Sequence, residues 1–173
     1  MPMPHIPRKR QTPRGLTLLE LMIAIAVVAV LVGVAAPSMS AAMARHRLRA
    51  AAEHLAADLG EARLEATRTG RPVHLSFHAG DHWCYVLSTA PQSDCRYPAA
   101  TQLKVVRHLD HPGVTLQEAS PQTFDASGSL SLAPPGQALL ASPQGDQLRV
   151  RVSRMGRASV CAPGLPVPSV RPC

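Results

Sequence analysis

The string Arg14-Gly15-Leu16-Thr17-Leu18-Leu19-Glu20-Leu21 opens an apolar run that continues to Ala36, and this run constrains the chain more than any other feature. A membrane-spanning helix needs about 20 apolar residues. Residues 16–36 have that length and contain one carboxylate, Glu20. A charge in hydrocarbon is costly and reads as functional by default. Arg8, Lys9, Arg10 and Arg14 precede the run with no acid among them, which places this end on the cytoplasmic side. The chain of 173 residues carries a net charge of +7, and these four cations supply a large part of it. The basic balance is therefore partly a leader effect and only weak support for nucleic-acid binding.

Two conventional readings compete for this segment. A secretory signal ends in small residues at its cleavage site, and Val34-Ala35-Ala36 has that character. A plain signal anchor fits the length but leaves Glu20 without a purpose. The residues beyond the run favour continuation of the helix. Leu48, Ala52, Leu55, Leu59, Ala62 and Ala66 recur at spacings of three and four. Arg45, Arg49, Glu53, Asp58, Glu61 and Arg68 fall largely off that stripe, and Arg49 and Glu53 form an i,i+4 pair. Gly70 is a stop signal. The pattern predicts one helix from Leu16 to about Thr69, roughly 80 Å long at 1.5 Å per residue. Pro37 removes one helical hydrogen bond and predicts a kink.

After Gly70 the period changes to two. Candidate strands cover residues 72–78, 83–88, 103–108, 113–118, 122–125, 130–133, 138–141, 147–153 and 158–162. Gly80-Asp81 would turn the first two into a hairpin, and Met155-Gly156 would join the last two. Pro134-Pro135-Gly136 and residues 142–145 read as loops, and the proline-rich tail 163–173 as irregular. The fold class is α+β: a long helix, transmembrane in its first half, packed on a mostly antiparallel β-sheet head. The expected organisation is a leader over 1–15, a membrane helix over 16–36, its amphipathic continuation over 37–69 and a head over 70–173.

Cys84, Cys95, Cys161 and Cys173 all follow the apolar run, and none has C-x-x-C spacing. That argues against a zinc ribbon or a thioredoxin-type motif. An even count beyond a membrane segment fits disulfides in an oxidising compartment, with four buried thiols as the alternative. Three pairings are possible. The local ones, Cys84–Cys95 and Cys161–Cys173, close short loops and are the favoured expectation.

The Gly15-Leu16-Thr17-Leu18-Leu19-Glu20 string closely resembles the class III signal of type IV pilins and type II secretion pseudopilins. The resemblance implies cleavage by a prepilin peptidase between Gly15 and Leu16, followed by N-methylation of Leu16. The family's usual first mature residue is Phe; here it is Leu16, still large and apolar. Glu20 then becomes the fifth mature residue, where the family carries a glutamate that aligns incoming subunits. The new amine adds to the partial positive charge of the helix N-terminus, and a carboxylate one turn on compensates it. Pro37 falls where many pilins kink. Within that superfamily the head resembles the general secretion pathway H and type IV fimbrial biogenesis T family. The matching strings are Arg47-Leu48-Arg49-Ala50-Ala51-Ala52, Ala62-Arg63-Leu64-Glu65-Ala66 with Gly70-Arg71-Pro72-Val73, Phe124-Asp125-Ala126-Ser127-Gly128, and Val152-Ser153-Arg154-Met155-Gly156-Arg157-Ala158-Ser159-Val160-Cys161.

The resemblance implies a minor subunit, either of a type II secretion pseudopilus or of a type IV pilus. Its implied partners are other major and minor pilins or pseudopilins, the peptidase that is also the methylase, and the inner-membrane assembly platform. The implied location is the bacterial inner membrane, single-pass, with the head in the periplasm and later in a filament. Ala24, Ala26, Ala29, Ala35 and Ala36 favour close helix approach in such a filament.

Some fimbrial T-type members carry a Gly-Arg-x-Arg motif that contributes to DNA capture. Here the string is Gly156-Arg157-Ala158-Ser159, without the second arginine. Arg149, Arg151, Arg154 and Arg157 still offer a basic strip suited to phosphates, or simply a solvated strand face. His74, His78 and His82 recur every four residues, but on a strand-turn-strand pattern this reads as scattered surface histidines rather than a metal face. No Gly-x-Ser-x-Gly elbow, paired-carboxylate frame or phosphate-binding glycine loop occurs. The expectation is a non-enzyme that needs no cofactor and is itself the substrate of the peptidase and methylase.

Overall fold

A single α-helix, α1 (Leu18–Thr69), begins the computed structural model, which describes residues 17–131, 136–164 and 167–173, and only the helical backbone of 34–37. The cut site Gly15–Leu16 therefore lies outside the described residues. So does the expected kink, since Pro37 is described only as helical. The chain divides into two units, residues 1–39 and 40–173.

In the first unit, Thr17 opens the helix. Its carbonyl accepts the Leu21 N–H at 3.1 Å and its Oγ1 accepts the Glu20 N–H at 3.2 Å. A threonine at this position satisfies one of the four orphan donors of a helix start. The large apolar side chains from Leu18 to Val32 are all exposed. By length and composition this helix can cross a membrane. An exposed apolar surface of that extent needs lipid or other helices to cover it.

In the second unit, every member of the expected stripe, Leu48, Ala52, Leu55, Leu59, Ala62 and Ala66, is buried, together with Ala51. Arg49 and Glu53 pair at 2.7 Å on the exposed side. Gly70, at φ +64°, ends the helix in the left-handed conformation. Asp58 departs from expectation. It is only 1% exposed. Its position three residues after Leu55 and four before Ala62 brings it round to the packed face.

The head contains two antiparallel four-stranded sheets rather than one. The first has the order β3-β2-β1-β5, from β1 (Val73–His78), β2 (Cys84–Ser88), β3 (Gln102–Arg107) and β5 (Gln122–Phe124). The second has the order β4-β6-β7-β8, from β4 (Thr115–Ala119), β6 (Gln137–Ala141), β7 (Gln147–Val152) and β8 (Ala158–Cys161). The expected hairpin of β1 and β2 forms, with His78 opposite Cys84. β7 and β8 pair through Val150 and Val160. A 3-10 turn over His108–Asp110 takes the chain from the first sheet to the second, and β5 returns to pair with β1. That interleaving is why two sheets form from strands that alternate alike. Of the expected strand 130–133, Leu130 forms one bridge to Phe124, and residues 132–133 lie outside the described part. So do Pro134 and Pro135 of the expected loop.

One core joins α1 to both sheets: Leu48, Leu55 and Leu59 from the helix, Leu75 and Tyr85 from the first sheet, Leu116, Leu140, Leu148 and Val150 from the second. Trp83 lies in it with its Nε1–H donating to the Val114 carbonyl at 2.7 Å, so its one polar atom is satisfied. Cys84 is bonded to Cys95 and Cys161 to Cys173, the two local pairings. The tail is irregular but held. The Ala162 N–H donates to the Arg171 carbonyl and the Cys173 N–H to the Ala162 carbonyl. Val167 is buried in the core.

Candidate functional site

Glu20 sits three residues after the capping Thr17, which makes Thr17-Leu18-Leu19-Glu20 a Ser/Thr-x-x-Glu sequence. The observed half of such a box is the Glu20 N–H bonded to Thr17 Oγ1. The carboxylate lies in the first helical turn, where the helix dipole favours negative charge. This pattern was readable in the sequence and adds a local reason for an acid at residue 20. Glu20 is exposed, so its carboxylate is available to a neighbour.

The four arginines are brought partly together. On β7, Leu148, Val150 and Val152 point into the core, which turns Arg149 and Arg151 to the outer face. Arg151 lies opposite Ser159 and Arg149 opposite Cys161 on β8, so these residues share that face. Arg154 and Arg157 occupy the connecting turn and are exposed. None of the four forms an ion pair with a carboxylate among the described residues. A fifth arginine joins them that no local pattern announces. Arg171 of the tail lines, with Arg151, Ser153 and Ser159, a shallow groove of about 340 Å³ beside the Cys161–Cys173 bond. Only the chain reversal that closes the tail brings Arg171 there.

The turn that carries Arg154 and Arg157 is anchored on the helix. The Leu130 N–H donates to the Arg154 carbonyl at 3.0 Å. Arg63 of α1 donates from Nε to the Gly128 carbonyl at 3.2 Å. Gly128 and Gly156 both have positive φ, +78° and +73°. A Cβ on Gly156 would run into the Gly128 carbonyl and the Arg63 side chain. Two separated sequence strings, 124–128 and 152–157, thus meet over one helical arginine. Asp125 stabilises the first of them by accepting from Ser127 and Ser129, and those bonds hold its carboxyl below the usual range.

A buried polar network ties the helix to the first sheet. Asp58 accepts from the Tyr85 hydroxyl at 2.8 Å and from Lys104 Nζ at 2.6 Å. Burial first, then the Asp58 charge, pushes the Tyr85 phenol far above its ordinary range. Lys104 is raised, chiefly by its hydrogen bond to Asp58. By spacing Asp58 falls off the apolar stripe, and no local pattern assigns a role to Tyr85 or Lys104. The histidines of the four-residue repeat do not converge. His74 Nδ1 lies 2.9 Å from Thr123 Oγ1, and His82 faces His108 instead. Among the described residues no group of three or more His, Cys, Asp or Glu is placed to hold a metal ion.

Residues 51–156 match the family model of the type II transport protein GspH, and residues 10–36 match the prokaryotic N-terminal methylation motif. No curated protein matches. Two crystal structures of the type IV minor pilin FimU from Pseudomonas aeruginosa strain PAO1 are similar, each at 22% identity. Their TM-scores are 0.54 and 0.56, covering 67% and 69% of this chain and 97% and 94% of theirs. The minor pseudopilin EpsH from the type 2 secretion system of Vibrio cholerae aligns at 17% identity and a TM-score of 0.48, over 69% of this chain and 99% of its own. The FimU likeness establishes a pilin-type fold. With more than half of its residues matched by the GspH model, and a methylation motif ahead of them, the chain belongs to the GspH family of pilin-like subunits.

Proposed function

We propose that this chain is a minor pseudopilin of a type II secretion system, a structural subunit of the periplasmic filament that assists protein export across the outer membrane. The observation that carries this reading is the match of residues 51–156 to a family described as type II transport protein. In this reading the peptidase cuts between Gly15 and Leu16 and the new Leu16 amine is methylated. Residues 16–36 hold the subunit in the inner membrane until the assembly platform draws it into the filament. There, helices of neighbouring pseudopilins cover the exposed apolar surface of Leu18 to Val32. Glu20 compensates an α-amino group, its own or a neighbour's. Mass spectrometry of the mature N-terminus tests the processing. A terminus at methylated Leu16 supports it, and a terminus after Ala36 returns the chain to the secretory-signal reading. Glu20→Ala is expected to leave insertion intact and to impair filament incorporation. Normal co-assembly of that variant would remove the role given to Glu20.

A second reading is a minor type IV pilin that primes pilus assembly or contacts DNA. The outer-face arginines Arg149 and Arg151, with Arg154 and Arg157 in the turn, favour it. Phosphate contacts release counterions, so binding through them weakens steeply with salt. Detergent-solubilised protein is expected, on this reading, to bind duplex DNA at low salt and to lose most of that binding in Arg154→Ala with Arg157→Ala. Absence of salt-sensitive binding by the wild-type chain leaves the pseudopilin reading alone.

A further inference from the structure

Four of the eight histidines form two close pairs near Trp83. His82, in the turn before β2, places Nδ1 3.2 Å from Nε2 of His108, at the end of β3. His54, on α1, places Nδ1 3.4 Å from Nε2 of His111, whose ring stacks on Trp83. The second pair is tied into the core edge by that stacking. The first is accessible: His82 is exposed and His108 half-buried. The His108 N–H donates to the Trp83 carbonyl at 2.9 Å, which extends the β2–β3 ladder by one step and sets His108 opposite Trp83, one residue from His82.

We propose that His82 and His108 form a two-imidazole surface site for a late first-row divalent cation, of the Cu²⁺, Ni²⁺ or Zn²⁺ class. Imidazole nitrogen is the preferred ligand for these ions. Two nitrogens bound at about 2.0–2.1 Å on a tetrahedral ion lie roughly 3.3 Å apart, close to the observed separation. Nδ1 of one ring and Nε2 of the other are the atoms that face each other, so a small rotation of each ring aims both lone pairs at a shared ion. Asp81 and His108 line a common open cavity of about 360 Å³, and the aspartate, next to His82 in the chain, adds a negative charge nearby. Water completes the coordination. In the metal-free protein the same two nitrogens share one proton as a hydrogen bond, which keeps the rings paired.

Trp83 is the sole tryptophan and directly follows His82, so it reports on this site. Bound Cu²⁺ quenches indole fluorescence at short range. The experiment titrates the detergent-solubilised full chain with Cu²⁺ and follows Trp83 emission, with thermal melts in Zn²⁺ as a second readout. The expected result is one saturable quenching phase and a Zn²⁺-dependent rise in Tm. Both weaken about tenfold or more in His82→Ala or His108→Ala, because the second ligand no longer acts at high effective concentration. His111→Ala is expected to retain the tight phase. Circular dichroism of each variant without metal separates loss of the ligand from loss of the fold, and His108→Gln supplies a milder variant if alanine unfolds it. Absence of saturable quenching, or quenching unchanged in folded His82→Ala and His108→Ala, overturns the site. Loss on His111→Ala alone moves it to the other pair and equally overturns this assignment.

Discussion

Asp58 sets the strongest single-residue constraint in the head. A buried carboxylate survives only when paired and hydrogen-bonded, and here Tyr85 and Lys104 do both. Lys104 is about one-third exposed and keeps part of its hydration, but Asp58 is buried and depends on it for a counter-charge. The Tyr85 hydroxyl is fully desolvated, and removing its acceptor leaves it unsatisfied. Asp58→Ala is therefore expected to cost about 1–3 kcal/mol in urea unfolding, and Lys104→Met at least as much, because it leaves a buried carboxylate without its cation. The same network predicts alkaline sensitivity. Tyr85 and Lys104 both have folded pKa values raised above their unfolded ones, so the folded state holds its protons longer. The contribution is complete below about pH 10 and is lost as pH rises further, because the unfolded chain then binds fewer protons. Urea midpoints measured from pH 8 to 11 should fall, and fall less steeply in Tyr85→Phe. None of this was legible in the sequence. Asp58, read as one more charge beside a stripe, gives no hint of its partners, since Tyr85 and Lys104 reach it only through the packing of β2 and β3 on the helix. The helix start at Thr17 and Glu20 is local by contrast: the bond between them joins residues three apart in the chain.

At the scale of elements, legibility followed periodicity. The stripe Leu48, Ala52, Leu55, Leu59, Ala62 and Ala66 fixes a helical face by spacing alone, and all six are buried. β7 alternates throughout and β1 over its first half, whereas β2 is buried along its whole length. Assignment to two sheets was not readable, because pairing across β1–β5 and β4–β6 depends on loops whose path no local pattern encodes. Arg149 and Arg151 share the outer face of β7, as alternate residues of a strand must, whereas Arg171 reaches them only through the path of the tail. The junction of the 124–128 and 152–157 strings gives a test. Gly156→Ala meets both a positive φ and the Gly128 carbonyl, so Arg63 and the turn must shift. Gly145→Ala has positive φ at +88° but open space around it. We expect Gly145→Ala to cost about 1 kcal/mol and Gly156→Ala clearly more, about 2–4 kcal/mol, from backbone strain combined with displacement. Thermal melts of the two variants side by side measure the difference. The larger loss should accompany greater exposure of Arg63 to hydrogen exchange or chemical modification.

For the whole molecule, the two disulfides divide the labour of holding a core built with few aromatics. Cys84 and Cys95 are both buried beside Val86. Cys161 and Cys173 lie at the surface end of β8 and the tail. Each bond closes a loop of about a dozen residues, for which chain entropy gives roughly 3 kcal/mol. What each loss exposes differs. Without Cys161–Cys173, two backbone hydrogen bonds and the buried side chain of Val167 must hold the tail. Val167 shares a cavity of about 240 Å³ with Ala42, Arg45, His46 and Arg49 of α1, so releasing the tail also uncovers this stretch of helix. Cys161→Ser with Cys173→Ser should leave both sheets folded. It should open new tryptic cleavage at Arg45 or Arg49, the tail's own Arg171 being protected by the Pro172 that follows it. Cys84→Ser with Cys95→Ser should instead lower global stability, because two hydroxyls then occupy a dry cluster without the covalent link. Limited proteolysis beside urea unfolding separates the two outcomes: a nicked but folded head for the tail pair, and a lowered midpoint with uniform digestion for the β2 pair. Equal behaviour of the two variants would mean that the tail is part of the cooperative core rather than a clasp laid over it.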